Sequence, residues 1–150
     1  MAFEALDDLY REVILDHFKN PRNHAPLSAF DVEQEGYNPL CGDQIKLQLQ
    51  FENGRVVKIG FMGKGCSISQ ASASILTEEI QGKSISEIEE EIQFFKSMMQ
   101  GEANVEDQDV GDLEALSGVR KFPVRIKCAL LGWTTLEEAL TFYQEKTKGA

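Results

Sequence analysis

The chain has 150 residues, of which 25 are acidic and 15 basic, and its formal net charge is −10. This negative excess repels phosphate backbones, so we expect no nucleic-acid partner. No apolar run approaches the roughly 20 residues of a membrane span, and MAFEALDDLYREV is acidic where a secretory signal would be basic, so we expect a cytoplasmic protein without a membrane partner. With 42% hydrophobic residues, the chain predicts one domain over residues 1–150.

The first predicted elements are a helix and a β-hairpin. Apolar residues recur at three- and four-residue steps over residues 6–18, and Asn20-Pro21 ends this helical pattern. After an irregular crossing segment, apolar and polar residues alternate over 45–51 and again over 57–61. Asn53-Gly54 supplies a tight turn between these runs, which predicts a hairpin with one buried face.

The second half of the chain predicts helices. Small and apolar residues run from Cys66 to Gly82 and suit a helix that begins at Cys66. Two capping-box signatures, Ser86 with Glu89 and Thr135 with Glu138, predict the starts of two later helices. Between them we expect an exposed acidic loop, GEANVEDQDVGD, and then short helical pieces broken by Gly118, Pro123 and Gly132.

Three cysteines is an odd number in a chain too long to need disulfides, which indicates thiols in a reducing compartment. Taken singly, each could be a small buried hydrophobe. Cys41 lies in NPLCGDQ, where Gly42 lets the backbone fold so that Cys41 and Asp43 could chelate one cation. A thiolate and a carboxylate two residues apart therefore form a candidate metal-binding pair.

The other two cysteines lie in settings that also favour a thiolate. Cys66 follows glycines at a predicted helix N-terminus, which stabilises negative charge. Cys128 closely follows the basic residues Arg125 and Lys127, which we predict to tune the site. Three such thiols and one carboxylate suit a tetrahedral metal site, although their spacing matches no CxxC-type zinc motif.

Histidine is a common metal ligand, so each of the two histidines is a further candidate ligand. His17 falls within the first predicted helix and His24 within a proline-flanked loop. A structural role is the preferred interpretation for both.

Four segments of the chain together resemble the U-type iron–sulfur cluster assembly proteins, the family that includes IscU, SufU and the NifU N-terminal domain. The segments are LYREVILDHFKNPRN, PLCGD, GKGCSISQASASI and KCALLGW. The resemblance implies an α+β fold in which a small antiparallel β-sheet is covered by helices, as in the SufE/IscU-like fold. It also implies that the three cysteine loops meet at one exposed end.

Departures from the IscU pattern favour the SufU branch. Lys127 stands where IscU scaffolds have a histidine, and FPVRIK replaces the Pro-Pro-Val-Lys stretch that a dedicated chaperone reads in those scaffolds. The interval from Cys66 to Cys128 (128 minus 66, or 62 positions) is longer than in IscU proteins.

For the SufU branch, the resemblance implies a zinc ion held by Cys41, Asp43, Cys66 and Cys128. It further implies a sulfurtransferase that accepts persulfide sulfur from a pyridoxal-phosphate cysteine desulfurase. We expect Cys41 to be the acceptor after it leaves the metal, because its glycine-containing loop can move more easily than the helical settings of Cys66 and Cys128.

Two alternatives remain open. In the first, Cys41, Cys66 and Cys128 form a scaffold for a transient iron–sulfur cluster that passes to downstream assembly or acceptor proteins. In the second, the zinc is purely structural. A carboxylate ligand argues against a closed structural zinc site, and Lys127 in place of histidine argues mildly against the scaffold.

Overall fold

The computed structural model describes residues 8–39, 42–102 and 111–148, and it has the predicted α+β architecture. Three strands form an antiparallel sheet in the order β1-β2-β3, and helices cover it. The strands are β1 (Val32–Asn38), β2 (Asp43–Glu52) and β3 (Arg55–Lys64). The helices are α1 (Asp8–Lys19), α2 (Ser67–Ile80), α3 (Ile85–Met99), α4 (Leu113–Leu116) and α5 (Pro123–Lys148), with a 3-10 turn at Ser117–Lys121.

The predicted hairpin is confirmed as the pair β2–β3. Its two-residue turn has Asn53 at φ +54° and Gly54 at φ +76°, the left-handed conformation that a tight hairpin turn requires. Alternate residues of β2, namely Ile45, Leu47 and Leu49, are fully buried. The hairpin therefore runs from the Asn53-Gly54 turn to an opposite end at which β2 begins and β3 ends.

Strand β1 was not predicted, because its sequence VEQEGYN lacks an apolar alternation. Only its two end residues, Val32 and Asn38, are buried. The strand owes its position to backbone pairing with β2 and to packing against α5. Its last pair joins Asn38 to Asp43, the first residue of β2.

The capping box of α3 lies two residues earlier than predicted. Ser84, not Ser86, is the N-cap: its hydroxyl accepts the Glu87 backbone N–H, and the Glu87 carboxylate accepts the Ser84 backbone N–H. This register places Ile85 in the first turn, where it packs against the core. The predicted start of α2 at Cys66 is confirmed.

The predicted short pieces after Pro123 are instead one helix of 26 residues, α5. Pro123 is its first residue, where a missing N–H costs no hydrogen bond. Gly132 lies within the helix, and Thr135 is not a cap, since its hydroxyl donates to the Leu131 carbonyl at 2.8 Å. Burial of residues such as Trp133 outweighs the roughly 1 kcal/mol that an internal glycine costs.

The buried apolar residues form one cluster between the sheet and the helices, contributed mainly by β2, β3, α2, α3 and α5. Most of the predicted acidic loop, residues 103–110, lies outside the described residues. Among the residues that are described, no helix is both long enough and apolar enough to cross a membrane.

Candidate metal centre

Three of the four predicted ligands meet at the end of the sheet opposite the hairpin turn. Asp43 is the first residue of β2, Cys66 is the N-cap of α2, and Cys128 lies in the second turn of α5. One carboxylate oxygen and the two sulfurs lie within 4.8 Å of one another. Cys41, the fourth predicted ligand, lies outside the described residues.

Asp43 is held in place by the backbone that leads into α2. Its side chain is buried, and Oδ1 accepts the Cys66 backbone N–H at 2.8 Å. Gly65 makes this approach possible: its φ is +147°, and a Cβ built on it would lie 2.2 Å from Asp43 Oδ1. The second oxygen, Oδ2, is left facing Cys66 Sγ at 3.8 Å.

The two cysteines differ in access. Cys66 is half-buried, and its Sγ accepts the Ser69 backbone N–H at 3.4 Å, so the sulfur occupies the usual position of an N-cap oxygen. Cys128 is fully buried, and the Asn38 side-chain amide donates to its Sγ at 3.6 Å.

The donor set fits a zinc ion. Zinc takes thiolate sulfur at about 2.3 Å and carboxylate oxygen at about 2.0–2.2 Å in a tetrahedron, which separates two ligand atoms by roughly 3.5–3.8 Å. The distance of 3.8 Å from Asp43 Oδ2 to Cys66 Sγ meets this requirement. Two sulfurs and one oxygen would supply three of the four positions, and the softness of the sulfurs favours zinc or iron over magnesium or calcium.

The two basic residues predicted to tune the site lie on the same helix as Cys128. Arg125 is half-buried in the first turn of α5, and Lys127 is exposed. Lys127 lines a shallow cleft together with Tyr37, Asn38 and Pro39. Asn38 joins this cleft to the metal centre, but tuning by either basic residue remains a prediction.

The two histidines lie apart from this centre. His17 is buried, and its Nδ1 lies 2.8 Å from Ser74 Oγ while its Nε2 lies 2.7 Å from Asp112 Oδ2. Glu78 Oε1 is 3.8 Å away, so a His/Glu/Asp group exists, yet protein partners already account for both ring nitrogens. His24 is exposed, and its ring packs against that of Phe61 with the two ring centroids 4.7 Å apart.

Asn38 is a residue of the centre that the sequence analysis missed. It is buried, and its amide Nδ2 lies 3.5 Å from Asp43 Oδ2 as well as 3.6 Å from Cys128 Sγ. Recognition of β1 as the antiparallel partner of β2 would have identified it, because this pairing sets Asn38 opposite Asp43.

Comparison with protein families now decides the assignment of the chain. Residues 9–129 match the family model described as the NifU-like N terminal domain. The chain belongs to this family. The resemblance seen in the four sequence segments is thereby confirmed.

Individual members of the NifU-like family match nearly the whole chain. A protein named zinc-dependent sulfurtransferase SufU from Bacillus subtilis (strain 168) is 48% identical over 93% of this chain and 95% of its own length. A protein named iron-sulfur cluster assembly scaffold protein IscU from Streptococcus pyogenes serotype M1 is 41% identical over 93% and 87% respectively.

A solved structure of the family has the same fold. It is titled as a putative iron-sulfur cluster assembly scaffold protein for the SUF system from Fervidobacterium islandicum AW-1. The TM-score is 0.80 at 37% identity, covering 86% of this chain and 94% of that one. The predicted SufE/IscU-like, NifU N-terminal fold is thus confirmed.

Proposed function

We propose that this protein acts in iron–sulfur cluster assembly by binding zinc and accepting persulfide sulfur from a pyridoxal-phosphate cysteine desulfurase. The observation that carries the proposal is the convergence of Asp43, Cys66 and Cys128 at the end of the sheet. The 48% identity to a relative named as a zinc-dependent sulfurtransferase supports it.

In this proposal, Cys41, Asp43, Cys66 and Cys128 hold the zinc ion. Cys41 stands two residues before Asp43 in the sequence, so the covalent chain keeps it near the other three. Bound zinc supplies a charge that keeps cysteine sulfur deprotonated without redox chemistry of its own.

Cys41 is the proposed sulfur acceptor. Its thiolate attacks the outer sulfur of a persulfide on the desulfurase, the sulfur–sulfur bond of the donor breaks, and the donor cysteine leaves as a thiolate. Cys66 and Cys128 are less suited, because a helix N-cap and a fully buried position in α5 restrict their displacement.

The setting follows from this chemistry. We place the protein in the cytoplasm, where reducing conditions keep the cysteines as thiols. Residues 1–150 act as one domain, and Arg125 and Lys127 tune the thiolates from the same helix as Cys128. Sulfur received on Cys41 passes to downstream cluster assembly or acceptor proteins.

A second candidate function is a scaffold on which Cys41, Cys66 and Cys128 hold a transient iron–sulfur cluster. The 41% identity to a relative named as an IscU scaffold protein favours it, and thiolates are the usual ligands of such clusters. A purely structural zinc is disfavoured by the half-buried Cys66 and by the carboxylate of Asp43, because structural sites are usually closed by cysteine and histidine.

One experiment tests the proposal. The purified protein is assayed for bound metal, then incubated with a cysteine desulfurase and cysteine, and the persulfide is located by peptide mass analysis. We expect one zinc per chain, a faster desulfurase reaction and a persulfide on Cys41. Cys41→Ser should abolish the faster reaction and the persulfide. Absence of metal, or a persulfide on Cys66 or Cys128 with Cys41 unmodified, contradicts the proposal. Equal labelling of all three thiols favours the scaffold.

A further inference from the structure

Asn38 lies at the point where two elements of the metal centre meet. It ends the edge strand β1, and its Cα is paired across the sheet with that of Asp43. Paired residues of an antiparallel sheet project side chains to the same face. The Asn38 side chain is thereby directed towards Asp43 and, beyond it, towards Cys128 on α5.

The contacts of Asn38 fix which way its amide points. Nδ2 lies 3.5 Å from Asp43 Oδ2 and 3.6 Å from Cys128 Sγ. A carboxylate can only accept, so the N–H₂ group, not the carbonyl oxygen, must face it. The two hydrogens of the amide nitrogen are thus donated to two different candidate metal ligands, Asp43 Oδ2 and Cys128 Sγ.

Burial makes these hydrogen bonds consequential. Asn38 is 7% exposed, Asp43 2% and Cys128 0%. A charged oxygen or sulfur without a hydrogen-bond donor is costly in such a position, so the amide offsets negative charge where water does not reach. The amide nitrogen carries no lone pair for a metal, so it can fix the ligands without competing for the ion.

We infer that Asn38 is a positioning residue, whose side-chain amide holds the Asp43 carboxylate and the Cys128 sulfur in the arrangement that binds the metal and slows its release. The inference rests on the zinc site of the proposed function. Asn38 links β1 and β2 to α5 at this point, so it fixes two ligands that come from different parts of the chain. Groups that orient ligands in this way typically change metal affinity about 10–100-fold when they are removed.

Gln48 provides a matched control variant. It is also a buried side-chain amide of this sheet, at 6% exposure, and it lies on β2. Its Oε1 accepts the Leu27 backbone N–H, and its Nε2 donates to Glu33. It stands five residues beyond Asp43, about 17 Å along a strand, so its loss should affect the fold but not the metal.

The first measurement compares zinc release to a competing chelator, and the absorption of the cobalt-substituted protein, in the wild type and two variants. We expect Asn38→Ala to release zinc about tenfold faster or more and to shift the sulfur-to-cobalt absorption, while Gln48→Ala keeps both values despite its lower stability. Wild-type release and absorption in Asn38→Ala, or an equal change in Gln48→Ala, would overturn the inference.

The second measurement uses the metal-free chain, so that it remains decisive if the proposed zinc site fails. Asp43→Asn is introduced in the wild type and in Asn38→Ala, and unfolding is measured with a chelator present. An asparagine at position 43 whose oxygen accepts the Cys66 N–H would direct its N–H₂ group at the N–H₂ group of Asn38, and neither could accept a hydrogen bond from the other. We therefore expect Asp43→Asn to lower the free energy of unfolding more when Asn38 is present than in Asn38→Ala. Equal losses in the two backgrounds would show that Asn38 does not hold Asp43. Absence of zinc from the wild type would contradict the proposed function and the part of the inference that concerns release.

Discussion

Asp43 supplies an oxygen donor to a centre whose other described donors are the sulfurs of Cys66 and Cys128. An oxygen among sulfurs is the donor that zinc exchanges most readily. We predict that Asp43→Ala leaves the protein folded but releases zinc to a chelator at least about tenfold faster. Asp43→Asn separates two contributions, since its amide oxygen can still accept the Cys66 N–H while an N–H₂ group replaces the oxygen that faces Cys66 Sγ. Unchanged release in Asp43→Ala would remove this side chain from the ligands.

Gly65 determines whether Asp43 can reach the backbone of Cys66. A Cβ at position 65 would lie 2.2 Å from Asp43 Oδ1 and 2.9 Å from its Cα, so this side chain would have to move. We predict that Gly65→Ala weakens zinc binding about tenfold or more and also lowers the free energy of unfolding.

Gly82→Ala is the control that separates the effect of Gly65→Ala on zinc binding from its effect on the free energy of unfolding. Gly82 has φ +87°, and a Cβ there would meet nothing within 4 Å. Both variants place an alanine at a positive φ, which costs on the order of 1–3 kcal/mol, but only position 65 lies against Asp43. Titration with zinc and denaturant unfolding of the metal-free chains measure the two quantities. Equal zinc affinity in both variants would refute the role given to Gly65.

At the scale of the element, the start of α3 offers a direct test between two neighbouring serines. Ser84 is the N-cap and makes a reciprocal capping box with Glu87, whereas Ser86 is exposed and contacts the Ser84 hydroxyl. We predict that Ser84→Ala lowers the free energy of unfolding by about 1 kcal/mol, while Ser86→Ala changes it by less than about 0.5 kcal/mol. Denaturant unfolding measures both, and the reverse order would restore the cap first expected from the sequence.

The two serines show why the sequence predicted elements better than their boundaries. Both Ser84 and Ser86 are followed three residues later by a glutamate, so the spacing alone cannot choose between them. The register observed is the one that packs the half-buried Ile85 against the core. The hairpin β2–β3 was predictable because its apolar alternation and its turn are local signals. Strand β1 was not, because its polar sequence gains its place from pairing and from α5.

The sequence carries a signal for the three residues that meet at the candidate metal centre, but not for their surroundings. The residue types at 43, 66 and 128 suggest a metal without any structure, since thiolates and a carboxylate are strong donors. Asn38 carries no such signal, because asparagine is common in turns and its role depends on a cross-strand neighbour. Likewise, Pro123 and Gly132 predict breaks in the helical pattern when only their sequence neighbours are considered. The structure shows instead that α5 begins at Pro123 and continues through Gly132, because one face of the helix is buried in the core.

At the scale of the whole molecule, ionisable side chains cluster along the C-terminal half of α2, whose N-cap is Cys66. His17 of α1 joins Ser74 of α2 to Asp112 at the start of α4 through its two ring nitrogens. Nearby, Lys83 contacts Glu79 and Glu91, so α2 and α3 are also joined by ionisable groups. The packing of these helices therefore depends on ionisable groups as well as on the apolar core.

Glu79 makes this dependence measurable. Its partial burial and the neighbouring Glu91 carboxylate raise the pKa of Glu79 from 4.5 to about 7, against a smaller opposing effect of Lys83. Between these two pH values the folded chain keeps a proton that the unfolded chain has released, so the free energy of unfolding falls as pH rises through this window. Glutamine has the same shape and no charge to bury. We predict that Glu79→Gln reduces this loss and is more stable than the wild type above pH 7.

The measurement is urea unfolding of the metal-free protein across a pH series, with Glu90→Gln as the control. Glu90 is exposed on α3, so its substitution removes the same unit of charge without relieving a buried carboxylate. The other ionisable groups are common to all three proteins, so their contributions cancel in the differences between them. We expect only Glu79→Gln to flatten the curve, because the raised pKa of Glu79 lets the folded chain keep a proton that the unfolded chain releases. Parallel curves for Glu79→Gln and the wild type would mean that Glu79 is ionised in the folded protein throughout this range.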